Sequence, residues 1–281
     1  MWSEHHRLTE LPLTQSQAEQ MLAEAVKEVR RTIIGRRFIE LYGPLGAGVE
    51  SVPLESFRRD ENAEIDLEGQ PDPSPIGAHE KETYIRVPLI YKDFTLHWRN
   101  IKLAKDQNSP LDMTNAIRSA HQVAHREDDL IFNGAQKLGI KGLLNWTGVG
   151  NVKRGDWQKQ GVPLADVYKA MDTLIAENHH YPYAIAMSLD MYESLVKSVK
   201  DSPVLELEQI TKLCSDGVFY SQMIPPGTAV LVSTGVMNLD IAVAEDVHVA
   251  YLGPQDMNHR FRVYESLVLR VKRPKSICVI S

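Results

Sequence analysis

The sequence predicts an α+β fold with helices and an antiparallel sheet segregated along the chain. Three observations carry that expectation. An amphipathic helix follows a capping box near residue 14, a long acidic insert runs into period-two alternation, and β-rich segments dominate beyond residue 217. With 281 residues the chain has room for about two domains and for a core that needs no cross-links.

Residues 1–13 are polar and aperiodic, and no apolar stretch follows Met1-Trp2-Ser3-Glu4, so a secretory signal is not expected. Thr14-Gln15-Ser16-Gln17 reads as a capping box, in which hydroxyl and amide satisfy each other's end of the helix. Ala18, Met21, Leu22, Ala25, Val29 and Ile33 then fall on one face, with Glu19, Lys27, Glu28 and Arg31 opposite, until Gly35 ends the helix. The glycines of Gly43-Pro44-Leu45-Gly46-Ala47-Gly48 lack the Lys-Ser/Thr pair of a phosphate loop and read as a turn.

Residues 55–83 carry little core-forming content, which fits either a disordered segment or an arm whose partner is another subunit. Ile85, Val87, Leu89 and Tyr91 alternate with Arg86, Pro88, Ile90 and Lys92. A phase slip at Lys92-Asp93 precedes Phe94, Leu96 and Trp98, which reads as a long strand with a bulge, or two strands around a tight turn, in a two-stranded projection. Helices are expected over 111–133, 164–176 and 204–214, with another behind Ser188. Strands are expected at Tyr183–Met187, Val218–Ile224, Ala229–Ser233, Leu239–Ala244, Val247–Tyr251, Phe261–Val271 and Ile277–Ile280.

Charge and cysteine usage narrow the function. Thirty-one basic residues against 37 acidic ones give a formal net charge of −6, which argues against a general nucleic-acid binder. Cys214 and Cys278 have no Cys or His at ligand spacing and read as core-filling thiols in a reduced, cytoplasmic setting. No apolar run approaches the length that spans a bilayer.

Two motifs then stand out. Gly35-Arg36-Arg37-Phe38-Ile39 followed by Gly43-Pro44 resembles the segment after the N-terminal helix of encapsulin shell proteins. Glu127-Asp128-Asp129-Leu130-Ile131-Phe132-Asn133-Gly134, with Gly139-Ile140-Lys141-Gly142-Leu143, resembles a longer and more specific run of the same family. Tyr181-Pro182-Tyr183 and Asp246 ahead of Tyr251 match in kind and order, so the likeness extends from about residue 12 to the C-terminus.

The resemblance implies an HK97 phage-capsid-like fold with peripheral domain, extended loop and axial domain. It places the N-terminal helix and start of the peripheral domain at 1–48 and the extended loop at 49–100. A peripheral helix follows at 101–144, the axial domain at 145–225 and the peripheral sheet at 226–281. Copies would close into an icosahedral shell around cargo enzymes, of iron-mineralising ferritin-like or peroxidase type, that carry a C-terminal targeting peptide. Expected partners are therefore the chain itself and its cargo, without nucleic acid or membrane. Carried over residue by residue, the resemblance assigns peptide capture to Arg36, Ile39, Glu40 and Asp246; the rival reading of Arg36 and Glu40 is a helix-end ion pair. It makes Lys200, Asp201, Ser202 and Pro203 a pore loop, although an ordinary solvated turn has the same sequence.

Other chemistry is thin. His121 and His125 are four apart on a helix, a spacing that can hold a metal, but a solvated or intersubunit helix face is the favoured reading, and no metal is expected. Trp98 could stack on a flavin, yet core packing is the commoner fate of such a residue; no cofactor is expected. Two rivals to the non-catalytic container remain: a phage major capsid protein that packages DNA, and a metal-dependent enzyme centred on His121 and His125.

Overall fold

A computed structural model describes residues 11–56, 65, 67–69, 81–107, 109–196 and 205–281. The expected pore loop at 200–203 lies outside them. Helix α1, Gln15–Thr32, starts at the capping box: Thr14 Oγ1 accepts from the Gln17 amide at 3.2 Å and Gln17 Oε1 accepts from the Thr14 amide at 3.0 Å. Its face of Ala18, Met21, Ala25 and Val29 is buried as the spacing predicts. Glu28, assigned to the polar face, is buried too, because it pairs with His121. The helix stops at Thr32, since Ile33 turns extended, and Gly35–Arg37 forms a short 3-10 turn.

Two sheets organise the rest. The first has the order β1-β9-β10-β4, with β1 Leu41–Tyr42, β4 Leu89–Leu96, β9 Leu239–Gln255 and β10 Asn258–Val271. Helices α1 and α3 (Thr114–Asn133) pack on it. The second has the order β5-β11-β8-β6-β7, from β5 Gly150–Val152, β6 Tyr183–Met187, β7 Val218–Tyr220, β8 Ala229–Ser233 and β11 Ile277–Ile280. It is mixed and not purely antiparallel: β5 lies parallel to β11, and β7 parallel to β6. A boundary at 225 would separate β8 and β11 from β6 and β7, with which they form one sheet.

This second sheet divides the interior. Ala184, Ala186, Val230, Val232, Ile277 and Val279 face the core that holds α1 and α3. Their alternates, among them Ile185, Met187, Leu231, Cys278 and Ile280, face a core built with α4 (Val162–Ala176), α5 (Leu189–Val196) and α6 (Glu206–Leu213). Strands buried on both faces read as continuous apolar runs, which is why Tyr-Ala-Ile-Ala-Met was legible. Both cysteines are buried and free, and burial pushes the thiols up, to about 12 at Cys214 and about 11 at Cys278.

Four expectations change. β2 (Ser51–Ser56) and β3 (Lys81–Arg86) pair as the expected ribbon, but the break falls at Val87-Pro88 and β4 has no phase slip. Ile90, Phe94 and Leu96 face the core in one phase, while Leu89 and Tyr91 are exposed, the Tyr91 ring under the Arg262 guanidinium at 3.9 Å. Trp98 opens helix α2, Trp98–Asp106, instead of ending a strand. The two strands expected over 239–251 are one, β9, with a bulge in its pairing near Glu245.

The Gly-rich motif after α3 has a packing reason. Gly134 has φ +75°, and a Cβ there would sit 2.4 Å from the Ile140 carbonyl oxygen. A Cβ on Gly142 would meet the Phe132 carbonyl at 2.5 Å, so the two backbone segments approach as only glycines allow.

Candidate functional site

The candidate site is built where α1 ends. Asp128 of α3 accepts the amides of Ile34 (3.0 Å) and Gly35 (2.9 Å), which fixes the chain as it leaves the helix. Burial pushes the Asp128 carboxyl up to about 7, although those two amides pull it down. Arg37 folds back onto the carbonyls of Ile33 and Arg31, both at 3.0 Å, closing the helix end.

The 3-10 turn then aims Arg36 inward. Its Nε donates to Glu127 Oε1 at 2.6 Å, Nη1 to Asp246 Oδ1 at 2.8 Å and Nη2 to Glu265 Oε2 at 2.7 Å. Glu127 comes from α3, Asp246 from the bulge in β9 and Glu265 from β10, so one guanidinium joins both helices' layer to the sheet. Burial, reinforced by the neighbouring Glu127 carboxylate, pushes Glu265 well above the usual carboxylate range; burial also raises Glu127. The exposed member, Asp246, is lowered: burial raises it, but the hydrogen bond and charge of Arg36, the Val247 amide and the Arg30 charge together pull it further down.

Beside this cluster a groove of about 250 Å³ runs between α1 and β9. Its floor is Val26, Val29, Ile33, Leu41 and Val247; Arg30, Arg37, Arg36 and Asp246 supply the charge at its rim. Of the four residues the resemblance assigned, Arg36 and Asp246 line this groove together. Arg36 is only 10% exposed and wholly engaged by its carboxylates, and Glu40 is not among them, so the helix-end pair does not form. Ile39 is 3% exposed and packs in the core. Glu40 is exposed and its carbonyl accepts from Ile241 as β1 begins. An Ile39→Asp substitution would therefore bury a charge and disturb folding as well as any docking.

Sequence reasoning did not find Glu127 and Glu265 as partners of Arg36, nor the apolar floor. One signal existed: Glu265 is the lone acid of its strand and stands next to the apolar run Leu267-Val268-Leu269, and a buried acid needs a partner. His121 and His125 sit together on α3 beside Glu28, and among the described residues no three or more His, Cys, Asp or Glu side chains converge so as to hold one metal ion together. Trp98 is half-buried with Arg99 over its ring at 5.4 Å. No described helix is long and apolar enough to cross a membrane.

The described residues thus combine a long strand pair, a two-stranded ribbon and a second sheet flanked by short helices. Residues 5–268 match the family described as "Encapsulating protein for peroxidase", and the chain belongs to that family. It is 38% identical to the type 1 encapsulin shell protein EncA of Myxococcus xanthus, over 96% of this chain and 94% of that one. Among solved structures, a virus-like particle from Pyrococcus furiosus superposes with a TM-score of 0.73 at 17% identity, covering 95% of this chain and 100% of that chain. The capsid of Myoviridae phage XM1 gives a TM-score of 0.61 at 15% identity, over 86% and 88%. The phage likeness is one of fold alone. The chain is an encapsulin-type shell subunit, structural and not catalytic, which sets aside both the DNA-packaging and the metal-enzyme readings.

Proposed function

We propose that copies of this chain close into a cytoplasmic nanocompartment and hold a cargo enzyme through that enzyme's C-terminal targeting peptide, seated in the groove between α1 and β9. The observation that carries the reading is the pairing of an apolar floor with a charged rim. Val26, Val29, Ile33, Leu41 and Val247 offer contact to apolar side chains, and Arg30, Arg37 and Asp246 can meet the peptide's polar atoms and terminal carboxylate. The family's description as encapsulating a peroxidase supports an enzyme as the guest.

The test uses Leu41→Asp, because Leu41 lines the groove yet is exposed and spares the core. Shells purified from the native host are compared by electron microscopy and by mass spectrometry of co-purifying protein. Intact shells that have lost their guest are the expected result. The same guest content in wild-type and variant shells would sink the reading.

A further inference from the structure

The groove leaves one side-chain cluster on α3 without a role. His121 Nδ1 lies 3.0 Å from Glu28 Oε1, and His121 Nε2 faces His125 Nε2 at 2.9 Å. The pair is reachable, with the His121 side chain 41% exposed. His121 borders a solvent cavity of about 710 Å³, and His125 borders another of about 500 Å³.

The two nitrogens are within hydrogen-bond reach, but the ring geometry is not that of a straight hydrogen bond. Over this separation a straight N–H···N bond would hold the ring centres about 5 Å apart, whereas they are 4.4 Å apart with planes at 79°. Two lone pairs meeting at a right angle on an ion about 2 Å from each nitrogen would put the nitrogens about 2.9 Å and the ring centres about 4.5 Å apart. Those values match the observed nitrogen separation of 2.9 Å and centre separation of 4.4 Å. Glu28 completes the arrangement from α1. Arg31 donates to both oxygens of its carboxylate, at 3.1 and 2.9 Å, which holds Glu28 where it accepts the His121 Nδ1 proton and leaves Nε2 as the free lone pair. Carboxylates behind metal-bound imidazoles act in this way.

We infer that His121 and His125 form a two-imidazole chelate for a divalent transition ion, oriented by Glu28, with water in the remaining positions. The right-angle bite suits tetragonal coordination, so Cu(II) and Ni(II) fit better than tetrahedral Zn(II), which wants the nitrogens farther apart. Structural zinc sites use four protein ligands; two leave an exchangeable, surface-accessible site.

The experiment is titration of assembled, chelator-treated shells with Cu(II) alone, read by calorimetry and by electron paramagnetic resonance. Wild-type shells are expected to take up one equivalent per subunit with two imidazole nitrogens bound to the copper. His121→Asn and His125→Asn, each checked for intact shells, should each lose that equivalent, and Glu28→Gln should weaken it by about 10- to 100-fold. No uptake by wild type, or uptake unchanged in the two histidine variants, would overturn the site. The groove reading stands apart from either result, since neither histidine lines that groove.

Discussion

Strands β9 and β10 carry two buried charge clusters with opposite accounting. At one, a single guanidinium, Arg36, serves three carboxylates: Glu127, Asp246 and Glu265. At the other a single carboxylate, Asp240, serves two cations, Arg270 at 2.7 Å and Lys272 at 2.8 Å. Asp240 and Arg270 are also cross-strand partners in the register, so the sheet itself brings them together. The second cluster is satisfied by its own groups. The first leaves Glu127 Oε2 and Glu265 Oε1 buried without a hydrogen-bond partner, and a proton on Glu265 resolves this by turning an acceptor into a donor toward Glu127. Two ion clusters in one sheet therefore differ in kind: one is satisfied by its own hydrogen-bonding groups, and the other is complete only with a bound proton.

The largest expected effect breaks the first cluster. Arg36→Met would leave two carboxylates buried and uncompensated, at a cost of about 3–5 kcal/mol; thermal unfolding of purified shells, with the yield of intact particles, measures it. Arg270→Met should cost less, about 2 kcal/mol, because Lys272 still neutralises Asp240. If both substitutions cost the same, the distinction between the clusters fails.

The proton itself is tested by pH. Glu265 has a raised pKa in the fold, so the stabilisation it contributes is complete below the unfolded carboxyl value of about 4.3. It is lost as pH rises through the folded value. Wild-type shells should thus lose melting temperature toward alkaline pH, and Glu265→Gln should flatten that limb with little change in acid. A limb of unchanged slope in the variant would place the titration elsewhere. Smallest of all is Lys272→Met, expected to cost under about 1 kcal/mol, since Arg270 continues to hold Asp240 with two hydrogen bonds; urea midpoints resolve a difference of that size.

How much of this was legible follows from how local each signal is. The capping box at Thr14 and the run Tyr183–Met187 were read correctly because one is satisfied within four residues and the other is buried on both faces. Helix α2 was missed since its nine residues bury only Ala104, too little for a period to emerge. Glu245-Asp246 read as a break between strands, as paired acids usually mark loops. The structure keeps β9 continuous there and uses a bulge, with Asp246 bonded to an arginine 210 positions earlier. The charge cluster depends on sheet register and helix docking together, and neither can be counted off a linear pattern. Of the residues that the resemblance assigned, Arg36 and Asp246 line the groove, whereas Ile39 is buried in the core, a difference that no linear motif carries.

The length of β9 has a mechanical consequence. Seventeen residues at about 3.3 Å each make a strand roughly 55 Å long, paired with β10 along almost all of it. A pull along that axis loads many hydrogen bonds side by side, in shear, whereas a pull across it would open them one after another. The pair is a tie rod. A wall built from such subunits would resist stretching most where β9 and β10 lie along the line of tension.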